Sequence, residues 1–242
     1  MFCLLIRAPF SQRLEPPQNP GQFTTSRPPP LTLALAPDVP WAPLASVLAA
    51  FRAEVPRTDL VIRQTHPDGI MEDLEEGRYD LAIAPALDSP TSPLTNSQLL
   101  WREGLAVVAP PRSPLLAYPS TLVAALRDYP LIQWCPRAHT ALHRHVDTLV
   151  GSRNSPTYIA ISFDFMVALV AAGFGIGIAQ RSRLAQVREW QVAVRRFAER
   201  DHWLEIRLYW TSARSAPVAA RFAEHARSVA DSYDPDRSIA SQ

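Results

Sequence analysis

Residues Tyr158 to Gln180, YIAISFDFMVALVAAGFGIGIAQ, restrict what this chain can fold into more than any other stretch. Tyr158 to Ile161 is apolar and β-branched, which suits a buried strand. Ser162 is a favourable helix N-cap, and Asp164 places a carboxylate in the first turn, where the helix dipole favours it. Phe163, Met166, Val167, Val170 and Ala171 recur at helical spacing and form one apolar face. Gly173 stops the helix as a left-handed residue. Gly175 to Ile178 then reads as a short strand whose glycines admit close packing. A strand, a helix and a second strand in so few residues call for an α/β layered fold.

The rest of the chain repeats that grammar. Leu31 onward, LTLALA, is a strand, and Trp41 to Glu54 is a helix with Trp41, Leu44, Val47, Leu48 and Phe51 on one face. Leu60 to Arg63 is a strand. Asp68 caps a helix through Leu74 that Gly77 ends, and Asp80 to Ala84 is the third strand. The helical crossovers are of the length that joins parallel strands. Leu99 to Trp101 and Leu105 to Ala109 read as two further short strands. Prolines 110, 111, 114 and 119 mark a shift in composition, so a crossover between units is placed near 109–114. Beyond it come a short helix (Thr121 to Arg127), a strand (Leu131 to Trp134) and a helix (Thr140 to Val150) stopped by Gly151. A brief helix (Ser182 to Val187), strands over Val192 to Phe197 and Trp203 to Trp210, and a last helix from Pro217 to Val229 complete the chain.

Composition excludes several classes of function. The 242 residues carry 24 basic and 23 acidic side chains, a net charge of +1, which gives no electrostatic reason to bind nucleic acid or an anionic membrane. The only cysteines, Cys3 and Cys135, make no disulfide framework and favour a reducing cytoplasm. No run approaches the roughly 18 apolar residues of a membrane span, and no secretory leader is evident. Of the 24 prolines, seven fall within residues 1–30, which read as an unfolded leader; residues 231–242 read as a polar tail. The glycines at 173, 175 and 177 follow a helix and precede a strand, the reverse of a dinucleotide-binding loop. No catalytic constellation is present, so the chain reads as a non-enzyme with no cofactor and no metal. His139, His143 and His145 read as a solvated helix face, although 139 and 143 have the spacing of a metal pair.

Three passages carry a family resemblance: LTLALAPDVPWAPLASVLAAFRAEVP, DLEEGRYDLAIA and FMVALVAAGFGIGIA. In this order and spacing they resemble the effector-binding (substrate-binding) domain of LysR-type transcriptional regulators, a branch of the type 2 periplasmic-binding-protein fold. The resemblance implies two Rossmann-like α/β subdomains joined by two crossover segments. The first would span 31–109 plus 205–230, the second 110–204. A small-molecule effector would sit in the cleft between them, and the signal would pass through rearrangement of a homodimer or higher oligomer paired by the first long helix. DNA would be reached only through a helix-turn-helix, which the 30 residues before the first strand are too few to hold. A solute-binding protein of a transport system shares the fold and is the alternative.

The resemblance also implies the cleft residues. They are Pro37 and Asp38 after the first strand, Gln64 and Thr65 after the second, Ala84 and Pro85 after the third, Cys135 and Arg137 in the second subdomain, and Ser162 and Phe163 at the helix start. Ser162 can cap the helix and also present its free N–H groups to an anion. Asp38 is expected to cap the first helix and to repel an anion, leaving room for an amine or hydroxyl. Cys135 reads as a buried structural thiol; redox sensing would require Cys3 as its partner.

Overall fold

The computed structural model of the chain describes residues 30–86, 94–137, 139–151, 157–187, 190–199, 202–212 and 217–233. The expected leader up to residue 29, Cys3 with it, and residues 234–242 of the expected tail lie outside the described residues.

Strands Leu31–Leu35 (β1), Leu60–Gln64 (β2) and Leu81–Pro85 (β3) are parallel and lie side by side as β2-β1-β3. Their crossovers are the helices Trp41–Glu54 (α1) and Ile70–Glu75 (α2). β3 is buried throughout, as expected of a parallel strand covered on both faces, whereas β2 at the edge is only half buried. The last helix, Pro217–Ser232 (α6), packs on α1, with the Phe51 and Phe222 rings edge to face at 5.2 Å. Residues 231 and 232 therefore belong to a helix rather than a tail. Two sequence expectations change here. Trp41 is 48% exposed, because as the first helical residue its side chain points back past the helix start. Asp68 does not cap α2; Gly69, at φ 108°, stands at the N-cap.

Thr95–Ala109 (β4) is one strand of 15 residues, not two short ones. The sequence reading breaks at Arg102-Glu103-Gly104 because a charge beside a glycine resembles a turn. The charge is satisfied instead: buried Glu103 accepts from Ser182 N at 3.0 Å and from the Tyr233 hydroxyl at 3.2 Å. The glycine is required by close approach, since a Cβ at position 104 would meet the Arg181 guanidinium at 2.8 Å. β4 pairs antiparallel with Trp203–Thr211 (β10) as far as Gly104, with Leu100 as an extra residue opposite the Ile206/Arg207 step. From Leu105 it pairs with Ile176–Gln180 (β8) and Ala193–Phe197 (β9). A single strand thus runs through both parts of the sheet.

The remaining elements are Ser120–Thr121 (β5), Leu131–Trp134 (β6), the helix Thr140–Val150 (α3), Thr157–Ala160 (β7), the helix Phe163–Ala171 (α4) and the short helix Arg181–Leu184 (α5). Pro114–Ala117 and Val123–Asp128 are 3-10 turns, the latter in place of the expected helix from Thr121. The full strand order is β2-β1-β3-β10-β4-β8-β6-β7, with β9 on β4 and β5. Two hydrophobic cores result. One gathers β1, β3, β10, α1, α2 and α6 with the first half of β4. The other gathers the second half of β4 with β6, β8, α3 and α4.

The stretch from 158 to 180 folds largely as read. Ser162 caps α4 by accepting from Phe165 N at 3.2 Å, Met166, Val167 and Val170 are buried, and Gly173 is left-handed at φ 81°. Gly175 is required by packing: a Cβ there would stand 2.3 Å from the Pro130 carbonyl oxygen. β7 departs from the reading. It pairs only with β6 and ends the sheet, leaving Tyr158 37% and Ile159 47% exposed. Its composition suits strand pairing, but composition does not say whether a layer covers the outer face.

Candidate functional site

Because β1, β2 and β3 are parallel, their carboxyl ends share one edge. Thr65 N donates to Leu35 O at 2.9 Å and Ala36 N to Ile83 O at 3.0 Å. Pro37, Asp38, Gln64, Thr65, Ala84 and Pro85 therefore stand along the same border. β6, β7 and β8 are likewise parallel, and Cys135 N donates to Ala160 O at 2.9 Å, so Cys135, Arg137 and Ser162 share the corresponding border of the second core. Ligands in open α/β sheets bind outside the carboxyl ends of strands.

The two borders meet. Asp38 is fully buried, and its Oδ1 lies 2.5 Å from Nδ1 of His139, just before α3. With the carboxyl oxygen as the acceptor, Nδ1 is the donor. Gln180 Nε2 donates to the Asp38 carbonyl at 2.9 Å, and Arg183 Nη2 donates to the Pro37 carbonyl at 2.6 Å. Three side chains of the second core thereby hold two consecutive residues of the first. Two expectations are corrected. Asp38 does not cap α1, whose N-cap is Pro40 with no side-chain bond; it is turned inward, toward His139. His139 is not on a solvated face: it is buried against Asp38 and Trp134.

Trp134 organises the second wall. Its ring lies 4.7 Å from that of His139 and 6.2 Å from that of Phe163, nearly parallel to the latter at 11°. Its Nε1 donates to Ile178 O at 2.8 Å, and its carbonyl receives Nδ1 of His143 at 2.9 Å. Through Trp134, Phe163 at the α4 start is connected to Asp38. Ser162 is exposed beside it, so the hydroxyl that caps the helix also faces solvent. Cys135 is a free thiol and only half buried, more open than the structural role expected of it. Arg137 is exposed. Gln64 is exposed and Thr65 half-buried, whereas Ala84 and Pro85 are buried, with the Pro85 carbonyl accepting from the Tyr209 hydroxyl at 3.3 Å.

The electrostatics of the junction are balanced by proximity. Burial pulls the Arg183 guanidinium below its ordinary value, and the carboxylates of Asp38, Glu103 and Asp164 oppose that shift. Arginine keeps its charge in such a setting. Burial likewise pushes the Glu103 carboxyl up against the lowering effect of its bonds to Ser182 and Tyr233. Three buried polar atoms here have no hydrogen-bond partner among the described residues: Asp38 Oδ2, Gln180 Oε1 and Arg183 Nε. Among the described residues no group of three His, Cys, Asp or Glu could hold a metal, and no helix is long and apolar enough to cross a membrane.

Sequence reasoning missed His139, Gln180, Arg183 and Glu103. The signal available was the run Gln180-Arg181-Ser182-Arg183. It directly follows an apolar glycine strand with no turn residue between, and all four side chains are buried or nearly so.

The sequence matches the family described as LysR substrate binding domain over residues 26–231. No curated protein matches the chain. Full-length BenM aligns with a TM-score of 0.76 at 17% identity, over 84% of this chain and 68% of that one. The BenM effector binding domain with benzoate aligns with a TM-score of 0.74 at 17% identity, over 84% of this chain and 92% of that one. The QuiR effector binding domain in complex with shikimate aligns with a TM-score of 0.72 at 18% identity, over 85% of this chain and 98% of that one. At these identities the likeness shows the fold.

Proposed function

The chain belongs to the LysR substrate-binding-domain family, with the type 2 periplasmic-binding-protein fold, and from that premise we propose that it is the effector-sensing module of a LysR-type transcriptional regulator. It binds and transmits rather than catalyses. The two cores are its two lobes, and the seams between them fall near residue 104 within β4 and just before β10 at Trp203, a few residues from the boundaries at 109 and 204 that the sequence suggests. The effector is a small metabolite held between the carboxyl ends of their strands by Pro37, Asp38, Gln64, Thr65, Ala84, Pro85, Cys135, Arg137, Ser162 and Phe163. One observation carries this reading: the two carboxyl borders meet at Asp38, where side chains from β8 and from before α3 reach the loop after β1. The buried carboxylate is held by His139, with Arg183 nearby, which weakens the objection that it would repel an anionic effector. The Ser162 helix start and exposed Arg137 then favour an effector carrying a carboxylate.

The test is ligand-linked stabilisation. Benzoate and shikimate, the ligands of the two structural neighbours, head a panel of aromatic, hydroxy and amino acids at millimolar concentration. A ligand at about 100 times its Kd raises stability by about 2.7 kcal/mol. Ser162→Ala should weaken the best hit about tenfold by calorimetry, a loss of about 1.4 kcal/mol. Loss of the cap alone lowers the melting temperature, so affinity is the deciding quantity. A panel with no hit, or an unchanged Kd in Ser162→Ala, would sink the proposed site.

We place self-association on α1, whose outward face exposes Trp41, Ala42, Ala45 and Ala49. Sedimentation equilibrium should show a dimer that Ala45→Arg weakens, and a strictly monomeric wild-type chain would count against this face.

A further inference from the structure

The junction between the two cores is polar where most interfaces inside a domain are apolar. Gln180 and Arg181 are fully buried and Ser182 and Arg183 nearly so. From this run, Gln180 reaches the Asp38 carbonyl, Arg183 reaches the Pro37 carbonyl, and the Ser182 amide reaches Glu103. Glu103 in turn receives the hydroxyl of Tyr233, which follows α6 and packs on the first core. His139 adds the contact to the Asp38 side chain. Arg181 lies over Gly104, where β4 passes from one core to the other, with its guanidinium carbon 5.2 Å from the Trp203 ring centroid.

We propose that Asp38, Glu103, His139, Gln180 and Arg183 form a clasp that holds the two cores together at the carboxyl border in the free chain, and that its release is the opening motion of this fold. Hydrogen bonds and ion pairs of this kind are exchanged for bonds to water on opening, so their net loss is small, whereas an apolar seam would weld the cores. The closed clasp also leaves Asp38 Oδ2, Gln180 Oε1 and Arg183 Nε buried without hydrogen-bond partners among the described residues, a cost that opening relieves. The two effects together give a seam that is closed at rest and close to balance, as a two-state element must be. Asp38 and Pro37 belong to the proposed effector border, so the clasp would govern access to it. That link rests on the effector reading, but the clasp itself is a property of the free chain.

The test uses the full chain with Cys3 and Cys135 replaced by serine. Spin labels are placed at Glu75→Cys on α2 and Thr148→Cys on α3, both exposed sites on opposite cores. Dilution with unlabelled chain removes distances between copies. With the clasp intact, electron–electron distance measurements should give one narrow distribution. His139→Ala and Asp38→Ala should each add a second, longer population at least as large as the first. A single unchanged distribution in both variants overturns the proposal. Should either variant fail to fold, hydrogen exchange of the wild-type chain decides. The Ser182 amide, bonded across the seam, should exchange about 100-fold faster than amides inside β1 and β8. Equal protection overturns the clasp. Unchanged distances alongside ligand binding would remove the clasp and leave the effector site standing; altered distances with no panel hit would do the reverse.

Discussion

Trp134→Ala is expected to destabilise the chain by about 4 kcal/mol, the range for emptying a buried aromatic site. Trp134 is among the largest side chains that are fully buried, and it stands on β6 between β8 and β7. Truncation removes apolar contact with His139 and Phe163 and leaves the Ile178 carbonyl without its 2.8 Å donor. Trp134→Phe separates these contributions. It retains most of the ring volume and loses the indole N–H, so it should cost about 1–2 kcal/mol, the range for an orphaned buried acceptor. Urea unfolding with a constant m-value measures both. If Trp134→Phe were as damaging as Trp134→Ala, the hydrogen bond to Ile178 would dominate; if Trp134→Ala cost under about 2 kcal/mol, the site collapses around the gap and Trp134 does not brace the α4 start. The same variants address function, since Phe163 leans on this ring. A loosened α4 start should weaken any effector held near Ser162 even in chains that remain folded.

Most of the fold was legible because its signals are local. The helical spacing of α4, the Gly151 and Gly173 stops, the Ser162 cap and the strand at β10 each follow from a few neighbouring residues, and each appears in the structure. Three of the misreadings share one cause: the deciding partner is distant in sequence. Glu103 sits mid-strand because Ser182 and Tyr233, 79 and 130 residues away, supply donors. β7 is exposed because it lies at the end of the strand order, which no property of Tyr158 to Ile161 can report. Gly104 looked like a turn and is a groove for Arg181.

The candidate site divides the same way. Strand ends can be placed from sequence once the α/β order is recognised, and Pro37, Asp38, Cys135 and Ser162 do stand on the two borders. Their state could not be read. Asp38, read as a cap of the first helix, is buried and caps nothing, and its partner His139 lies 101 residues away, just before a helix whose histidines looked solvated. A polar run that follows a buried strand without a turn, as Gln180 to Arg183 does, is a usable sign that a junction rather than solvent receives it.

The Asp38–His139 contact should carry the largest polar contribution in the chain, and the reason is its location. Exposed pairs such as Arg102–Glu205, at 3.1 Å, exchange strong hydration for a screened attraction and contribute at most about 1 kcal/mol. At Asp38 water is excluded, so removing one partner strands the other in the interior. Asp38→Ala is expected to cost about 3 kcal/mol, and His139→Ala a similar amount through its lost packing on Trp134 as well. The double variant should fall short of the sum by about 2 kcal/mol, because the second deletion removes a group already left without its partner. Asp38→Asn should cost only about 1 kcal/mol, since the amide oxygen still accepts from Nδ1. Additivity within about 0.5 kcal/mol would show that the two side chains do not act as a pair, and the loop after β1 would then be held by Gln180 and Arg183 through its backbone alone.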